Sequence, residues 1–175
     1  INSGTQLVSI MTANNEIGSI QNITALANIA HSCGAIFHTD AVQAVGHIKI
    51  DVNVFGIDML SASAHKFNGP KGIGFLYVRK GTPLMPYVSG GGQEHNMRAG
   101  TENIASIVGM ATALKKNVDA IEDTSSHLAL LENKLLTGLS NANIHFSRNG
   151  SKMHIPGNLS LSFPGYNGET ILHRL

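Results

Sequence analysis

Charge is scarce in this sequence and nearly balanced. Only 13% of the residues are Asp, Glu, Lys or Arg, and the formal net charge at pH 7 is +1. A chain without a strong field of one sign has no electrostatic basis for binding nucleic acid or an anionic membrane surface. We therefore expect a small-molecule partner, with no nucleic acid and no membrane involved.

Cysteine and long apolar runs are scarce as well. The single cysteine, Cys33, cannot form an internal disulfide, which agrees with a reducing compartment. No apolar run approaches the roughly 20 residues of a membrane-spanning helix, and no charged-then-apolar leader opens the chain. These features predict a cytoplasmic protein.

The sequence does contain enough apolar material for a core. With 175 residues, 42% of them hydrophobic, it can form one domain, or one domain and part of another. It starts almost directly in a strand-like run and stops soon after a helix-like run begins. We therefore expect an internal piece of a longer protein.

Strand-like and helix-like runs alternate through the first part of the chain. Residues 6–12 and 35–40 are predicted strands, and between them Asn22 and Gly34 predict the start and the stop of a helix. Residues 57–60 form the next strand-like run. This order is typical of a mainly parallel sheet with flanking helices, so the predicted fold class is α/β.

The rest of the chain alternates less regularly. Residues 72–79 predict another strand, and helical spacing then continues to about Asn141, with a break expected at residues 123–126. Two strand-like runs follow at residues 144–147 and 158–163.

The pattern predicts two domains of unequal size. Residues 1–121 are expected to form the later part of a large domain, and residues 122–175 the beginning of a small α+β domain. Gly168 is expected to open a last helix. Cys33 falls on the helical spacing of the first helix and is predicted to be a core residue.

The most informative stretch is SASAHKFNGPKGIG, residues 61–74. Lys66 follows the strand-like run at residues 57–60, so it is expected just beyond the carboxyl end of a strand, where open α/β sheets bind ligands. Partial desolvation there would favour a neutral, nucleophilic amine that can form a Schiff base. The alternative, left open by this stretch alone, is a solvated loop lysine.

Asp40 and Gln43 are expected near the same sheet edge. Asp40 ends a predicted strand one crossover before Lys66, and its carboxylate could keep a heterocyclic nitrogen protonated or cap the turn that follows. Gln43 lies about one helical turn further along and could reach the same ligand, or it could be an ordinary surface residue.

A metal-dependent hydrolase is an alternative of another class. Its metal site would use His38, Asp40 and His65. The spacing of these residues is not a standard one, and nine histidines make chance groupings easy. The turn at residues 69–72 is not a P-loop, and the bare glycine run at residues 90–92 is weak evidence for phosphate binding.

Several short motifs occur together and in a fixed order. They are NNEIG at 14–18, HTDAVQ at 38–43, SAHK at 63–66 with GPKG at 69–72, and GGGQE at 90–94 with RAGT at 98–101. In this order the sequence resembles the cysteine desulfurases, which are pyridoxal phosphate enzymes of the fold-type-I, class V aminotransferase group. The resemblance covers nearly the whole chain, and it implies the large domain of that fold plus the beginning of its small domain.

The resemblance implies roles for the central residues. Lys66 matches the lysine that bonds to the cofactor, pyridoxal 5′-phosphate, and later moves the α-proton of the substrate. Asp40 would face the pyridine nitrogen and keep it protonated. Gln43 would hydrogen-bond the phenolic oxygen of the ring, with Asn15 close by and near the substrate.

Three further residues match positions at the phosphate group. The resemblance implies that Ser63 and His65 bind the phosphate. Thr101 matches a residue that reaches the phosphate of the cofactor in a neighbouring subunit, so a homodimer is implied.

For the whole enzyme, the resemblance implies conversion of L-cysteine to L-alanine. The sulfur would pass to an enzyme cysteine as a persulfide, for iron–sulfur cluster or thio-cofactor assembly with sulfur-acceptor or scaffold proteins. A selenocysteine lyase is the near alternative. Because Cys33 precedes Lys66, the family's nucleophilic cysteine is expected outside this chain, as is the arginine for the substrate carboxylate. This piece alone is expected to be inactive.

Overall fold

The computed structural model describes residues 1–175, and its centre is a four-stranded sheet. The strands are β1 (Leu7–Met11), β2 (Ile36–Asp40), β3 (Met59–Ser63) and β4 (Gly74–Val78), and they lie side by side in this order. The first three are parallel, whereas β4 runs antiparallel to β3. The predicted mainly parallel sheet is confirmed.

Helix α1 (Ile23–Ser32) connects β1 to β2 and packs on the sheet. The side chain of Asn22 accepts a hydrogen bond from the Ala25 amide at 3.1 Å, so the predicted N-cap is confirmed. Small residues face the sheet from this helix, among them Ala27 and Ala30, which are fully buried. They let the helix approach closely the fully buried Phe37 of β2, in the main core.

The prediction that Cys33 is a core residue of helix α1 is wrong. The helix ends at Ser32, and Cys33 is its C-terminal cap and only half-buried. Gly34 follows with a φ of +76°, a left-handed conformation that favours glycine. The chain therefore turns away from the helix axis just where the spacing would have carried a side chain into the core.

Two long helices follow the sheet. They are α2 (Ile104–Asp119) and α3 (Ile121–Asn141), and they meet at Ala120. The break predicted at residues 123–126 is therefore wrong. Glu122 and Asp123 lie in the first turn of α3, where the positive end of the helix dipole favours acidic side chains. The polar residues that suggested a break mark the start of a helix instead.

The last part of the chain contains short elements. Strands β5 (Ser147–Arg148) and β6 (Leu161–Ser162) pair antiparallel, and each overlaps a predicted strand-like run but is shorter. Helix α4 (Gly168–Leu172) begins at Gly168 as predicted, capped by the Asn167 side chain. None of the helices combines the length and the apolar character that a bilayer-spanning helix needs.

Candidate active site

The carboxyl ends of β1, β2 and β3 lie together at one edge of the sheet. The ladder pairs Met11 with Asp40, and Asp40 with Ser61. It continues past the strands, because the Thr12 amide donates to the Asp40 carbonyl at 2.8 Å and the Ala41 amide donates to the Ser61 carbonyl at 2.9 Å. The turns after all three strands therefore meet at this edge, which is where parallel sheets bind ligands.

Lys66 lies in a 3₁₀ turn, Ala64–Phe67, directly after β3. Its position beyond the end of a strand is as predicted. The side chains of Ala64 and Phe67 are fully buried, whereas Lys66 is exposed. The prediction that Lys66 is partly desolvated is therefore wrong within this chain. Lys66 differs from an ordinary loop lysine because the residues that flank it, Ala64 and Phe67, are buried in the core and hold the turn in place.

The carboxylate of Asp40 is exposed at the end of β2. Its Oδ1 accepts a hydrogen bond from the Val42 amide at 3.0 Å, which is the capping contact that the sequence left open. Since one carboxylate carries two oxygens, Oδ2 can still accept from a ligand. The half-buried Gln43 lies in the turn that this contact shapes.

His38 lies on the same face of β2 as Asp40. Its Nδ1 is 2.7 Å from Ser9 Oγ on β1, and its Nε2 is 2.8 Å from Ser61 Oγ on β3. Burial lowers the pKa of His38, and the nearby charge of Asp40 opposes this shift only in part. His38 is therefore a neutral bridge across three strands, two residues before Asp40 on the same strand.

The metal-site alternative has no support in this arrangement. Both ring nitrogens of His38 are engaged by serine hydroxyls, and the nearest partner of His65 is likewise a serine. No group of three or more His, Cys, Asp or Glu side chains is placed to hold a metal ion. His38, Asp40 and His65 do not form the donor set that a metal-dependent hydrolase requires.

Ser63 and His65 form a hydrogen-bonded pair at the end of β3. Ser63 Oγ lies 2.8 Å from His65 Nδ1. If the hydroxyl donates to Nδ1, the imidazole carries its proton on Nε2, which can donate to a ligand. If Nδ1 donates instead, the hydroxyl proton is free to do so. Either way the pair offers a donor, which is what a phosphate group needs.

The turn after β1 places Asn15 at the same edge. The Asn14 side-chain oxygen accepts hydrogen bonds from the amides of Glu16 at 2.9 Å and Ile17 at 3.0 Å. Asn14 therefore shapes the turn, and the neighbouring Asn15 is exposed.

Thr101 is the one predicted residue that lies outside the turns at this edge. It is exposed and lies just before α2, whereas the Lys66 turn contacts Asn117 near the other end of that helix. From Ile104, three residues after Thr101, to Asn117, the helix rises about 20 Å.

Two residues missed by the sequence analysis contact the Lys66 turn. His47 Nε2 lies 2.7 Å from the Lys66 carbonyl, and Asn117 Nδ2 lies 2.8 Å from the Phe67 carbonyl. For Asn117 there was a signal, since it continues the inward stripe of Met110, Ala113 and Leu114, where a polar group needs a partner. The spacing of His47 gives no comparable signal.

Comparison with known proteins places these observations in a family. The family model described as Aminotransferase class-V matches residues 1–175. A cysteine desulfurase IscS from Dictyoglomus turgidum is 45% identical over 172 residues, which make up 98% of this chain and 44% of that protein. A cysteine desulfurase IscS from Methanosarcina thermophila is 43% identical over 172 residues, with shares of 98% and 43%.

Solved structures show the same fold. A NifS-like protein matches with a TM-score of 0.92 and 39% identity, over 99% of this chain and 48% of that chain. DndA from Streptomyces lividans matches with a TM-score of 0.87 and 35% identity, over 99% and 50%. The chain thus spans about half the length of the relatives it matches. Because one family model matches it from end to end, and relatives at this level of identity share its fold, the chain belongs to the aminotransferase class-V family.

Proposed function

We propose that the complete protein is a pyridoxal phosphate-dependent cysteine desulfurase. It would convert L-cysteine to L-alanine and pass the sulfur to an enzyme cysteine as a persulfide. The observation that carries this proposal is the placement of Lys66 between two buried anchors, at the sheet edge shared with Asp40. The relatives named cysteine desulfurase support the choice of reaction and substrate.

The side chains at this edge fit the proposed cofactor. Pyridoxal 5′-phosphate supplies an aldehyde that bonds to an amine, and a ring that withdraws electrons from the substrate's Cα–H bond when its nitrogen is protonated. Lys66 offers the amine and Asp40 the carboxylate, while Ser63 and His65 offer a donor for the phosphate. All three kinds of group are present at one sheet edge.

Each residue then has a task in the proposed reaction. The Lys66 amine would hold the cofactor, and the same nitrogen would accept and return the α-proton of the substrate. Asp40 would favour a positive charge on the ring nitrogen through Oδ2. The side-chain amide of Gln43 can donate a hydrogen bond to the ring oxygen. The side-chain amide of Asn15 can help to orient the substrate.

The proposal extends to partners. Thr101, which lies in the loop before α2, would contact the phosphate in a second copy, which would make the enzyme a homodimer. Sulfur-acceptor or scaffold proteins for iron–sulfur cluster or thio-cofactor assembly would take the sulfur. We place the activity in the cytoplasm, where thiols are kept reduced.

Borohydride reduction tests the central assignment. The imine between a lysine and an aldehyde is reduced to a stable amine, so the full-length protein loaded with pyridoxal 5′-phosphate should carry the reduced cofactor on Lys66. Peptide mapping by mass spectrometry locates the label. Lys66→Arg should lose it, and Lys71→Arg, a change in the same loop, should keep it. A label on another lysine, or none, would overturn the proposal.

Product analysis tests the substrate. The full-length enzyme should release alanine from L-cysteine, with sulfide appearing when a thiol reductant is added. A strong preference for selenocysteine over cysteine would reject the desulfurase in favour of a selenocysteine lyase.

A further inference from the structure

The 3₁₀ turn that carries Lys66 ends with carbonyl groups that no further helical turn can satisfy. A helix end leaves its last carbonyls without partners in the helix. In this short turn, the Ala64 carbonyl accepts from the Gly69 amide at 2.8 Å. The carbonyls of Lys66 and Phe67 take their donors from elsewhere in the chain.

Two side chains from distant segments supply those donors. His47, in the turns after β2, places Nε2 2.7 Å from the Lys66 carbonyl. Asn117, near the end of α2, donates through Nδ2 to the Phe67 carbonyl at 2.8 Å and to the Ala113 carbonyl at 2.8 Å. A carbonyl can only accept, so His47 carries a proton on Nε2. Both the neutral tautomer with that proton and the charged imidazole retain the donor.

Close packing fixes the two side chains around the turn. Gly46 precedes His47 with a φ of +80°, and a Cβ on it would lie 2.9 Å from Phe67 Cβ and 3.3 Å from Asn117 Cβ. Only glycine lets the chain approach this closely in that conformation. The Asn117 side-chain oxygen also accepts from Asn68 Nδ2 at 3.3 Å. His47, Phe67 and Asn117 thus form one contact cluster, which we name the carbonyl clamp.

We propose that His47 and Asn117 are positioning residues that hold the main chain of Lys66 for its reaction. The side chain of Lys66 is exposed and forms no hydrogen bond or ion pair within the chain. The position of its amine therefore depends on the position of the Lys66 main chain. Its amine must reach first the cofactor and then the α-proton. A displacement of about 1 Å at a reacting group can slow a reaction by roughly 10²-fold.

The carbonyl clamp is separable from the stability of the fold. The burial of Ala64 and Phe67 already keeps the turn in the core, and loss of one hydrogen bond at the half-buried His47 leaves that packing intact. A His47→Leu protein is therefore expected to fold, with a turn that is less well fixed. This inference rests on the proposed role of Lys66, and its test separates the two.

The test compares full-length enzymes loaded with pyridoxal 5′-phosphate. His47→Leu removes the donor, and His47→Gln restores an amide N–H at a similar reach. Asn117→Leu removes the other donor. His127→Leu is the control, since His127 is exposed on α3 and forms no hydrogen bond with the clamp. We expect His47→Leu and Asn117→Leu to lower kcat for alanine formation roughly tenfold to a hundredfold, with little change in KM. His47→Gln should recover most of the loss.

Two further measurements do not depend on turnover. Amide hydrogen exchange in residues 64–69 of the cofactor-free protein should be faster in both leucine variants than in the His127→Leu control. The pH at which the absorption of the lysine-bound cofactor changes should shift in the leucine variants and return toward wild type in His47→Gln. Such a shift reports the surroundings of the Lys66 nitrogen, which a change in stability alone would not alter.

The outcomes distinguish this inference from the proposed function. Wild-type protein with its label on Lys66, together with unchanged exchange, kcat and absorption in His47→Leu and Asn117→Leu, would overturn the carbonyl clamp alone. Loss of kcat in proportion to loss of folded protein, with no rescue by His47→Gln, would also overturn it. Absence of the label from Lys66 in the wild type would overturn both.

Discussion

At the scale of single residues, the two carboxylate oxygens of Asp40 have separate functions. Oδ1 accepts from the Val42 amide at 3.0 Å and so shapes the turn that contains Gln43. The proposed role of Oδ2 depends on charge, because only a carboxylate favours a protonated ring nitrogen. An asparagine keeps the first function, since its side-chain oxygen can still accept from the amide, and it loses the second.

Replacing Asp40 with Asn should therefore leave cofactor binding nearly intact but slow turnover. We expect kcat for alanine formation to fall by a factor on the order of 10² or more, the usual consequence of removing one preorganised electrostatic group. Asp51→Asn is the matched control, because Asp51 caps a turn in the same way through the amides of Asn53 and Val54. An Asp40→Asn enzyme that turns over as fast as Asp51→Asn would exclude the electrostatic role.

The residues at the sheet edge were predictable because their positions follow from the strand ladder. Once β2 and β3 are known to be parallel neighbours, Asp40 and the turn with Lys66 must share an edge. The exposure of Lys66 was not predictable in this way. Burial depends on every segment that packs around a side chain, and a sequence pattern reports only the neighbours along the chain.

At the scale of elements, helix α3 and strand β5 are joined through Glu132. Its carboxylate accepts from Arg148 Nη1 at 2.6 Å and from His154 Nε2 at 3.1 Å, and its side chain is only 14% exposed. Burial by itself would raise the pKa of Glu132, but the hydrogen bond from His154 and the charge of Arg148 outweigh it and hold this pKa below its usual value. Arg148 Nη2 is buried without a hydrogen-bond partner, so the charge of Arg148 depends on the Glu132 carboxylate for compensation.

Acid should therefore weaken the interaction of Glu132 with Arg148 and His154 that connects α3 to β5. The pKa of Glu132 is lower in the folded than in the unfolded state, so its stabilisation is complete above the unfolded value of 4.5. It is lost as the pH falls through the folded value, because the unfolded chain then binds more protons. Glu132→Gln should cost about 1–3 kcal/mol of unfolding free energy at neutral pH and remove this part of the acid dependence.

Urea denaturation at a series of pH values measures this effect. Glu102→Gln is the control, because Glu102 is exposed in the loop before α2. It should keep the acid dependence of the wild type. If Glu132→Gln lost stability on acidification as steeply as the control, the ion pairs of Glu132 would not be what acid breaks.

Elements were predictable where local chemistry defines their ends. Asn22 and Gly34 mark the limits of α1 because a cap and a left-handed turn involve only neighbouring residues. The junction at Ala120 has no such signature. Ile121, directly after the junction, is only 8% exposed, and such burial depends on segments distant along the chain. The carbonyl clamp was missed for the same reason, since it depends on the close approach of three distant segments.

At the scale of the whole molecule, the C-terminal part is attached to the turn after β1. The Ile155 amide donates to the Gly18 carbonyl at 2.9 Å, and the Ile20 amide donates to the Met153 carbonyl at 3.0 Å. The Ile155 side chain is buried in the main core, although it lies far along the chain from the sheet. Residues 150–158 therefore support the same turn that places Asn15 at the candidate site. A domain boundary near residue 122 stays a prediction.

Gly18 allows a test of this attachment. Its φ is +69°, and a Cβ on it would lie 2.8 Å from Asn158 Cβ, closer than real side chains come. Gly34 is a matched control, because its φ is +76° but nothing lies within 4 Å of an added Cβ. Alanine at either position costs roughly 1–2 kcal/mol for the left-handed backbone. Only Gly18→Ala should add a packing penalty, of about 1–3 kcal/mol, by pushing residues 150–158 away.

Urea denaturation of the two variants gives the difference directly, and amide hydrogen exchange locates it. Exchange should accelerate in residues 150–158 and in the turn at 14–20 for Gly18→Ala, and stay at the wild-type rate in both segments for Gly34→Ala. Because the turn also carries Asn15, Gly18→Ala should raise KM for cysteine in the complete enzyme, whereas Gly34→Ala should not. Equal losses of stability in the two variants would mean that the contact with Asn158 is easily relieved, and that the turn after β1 keeps its shape without the C-terminal part.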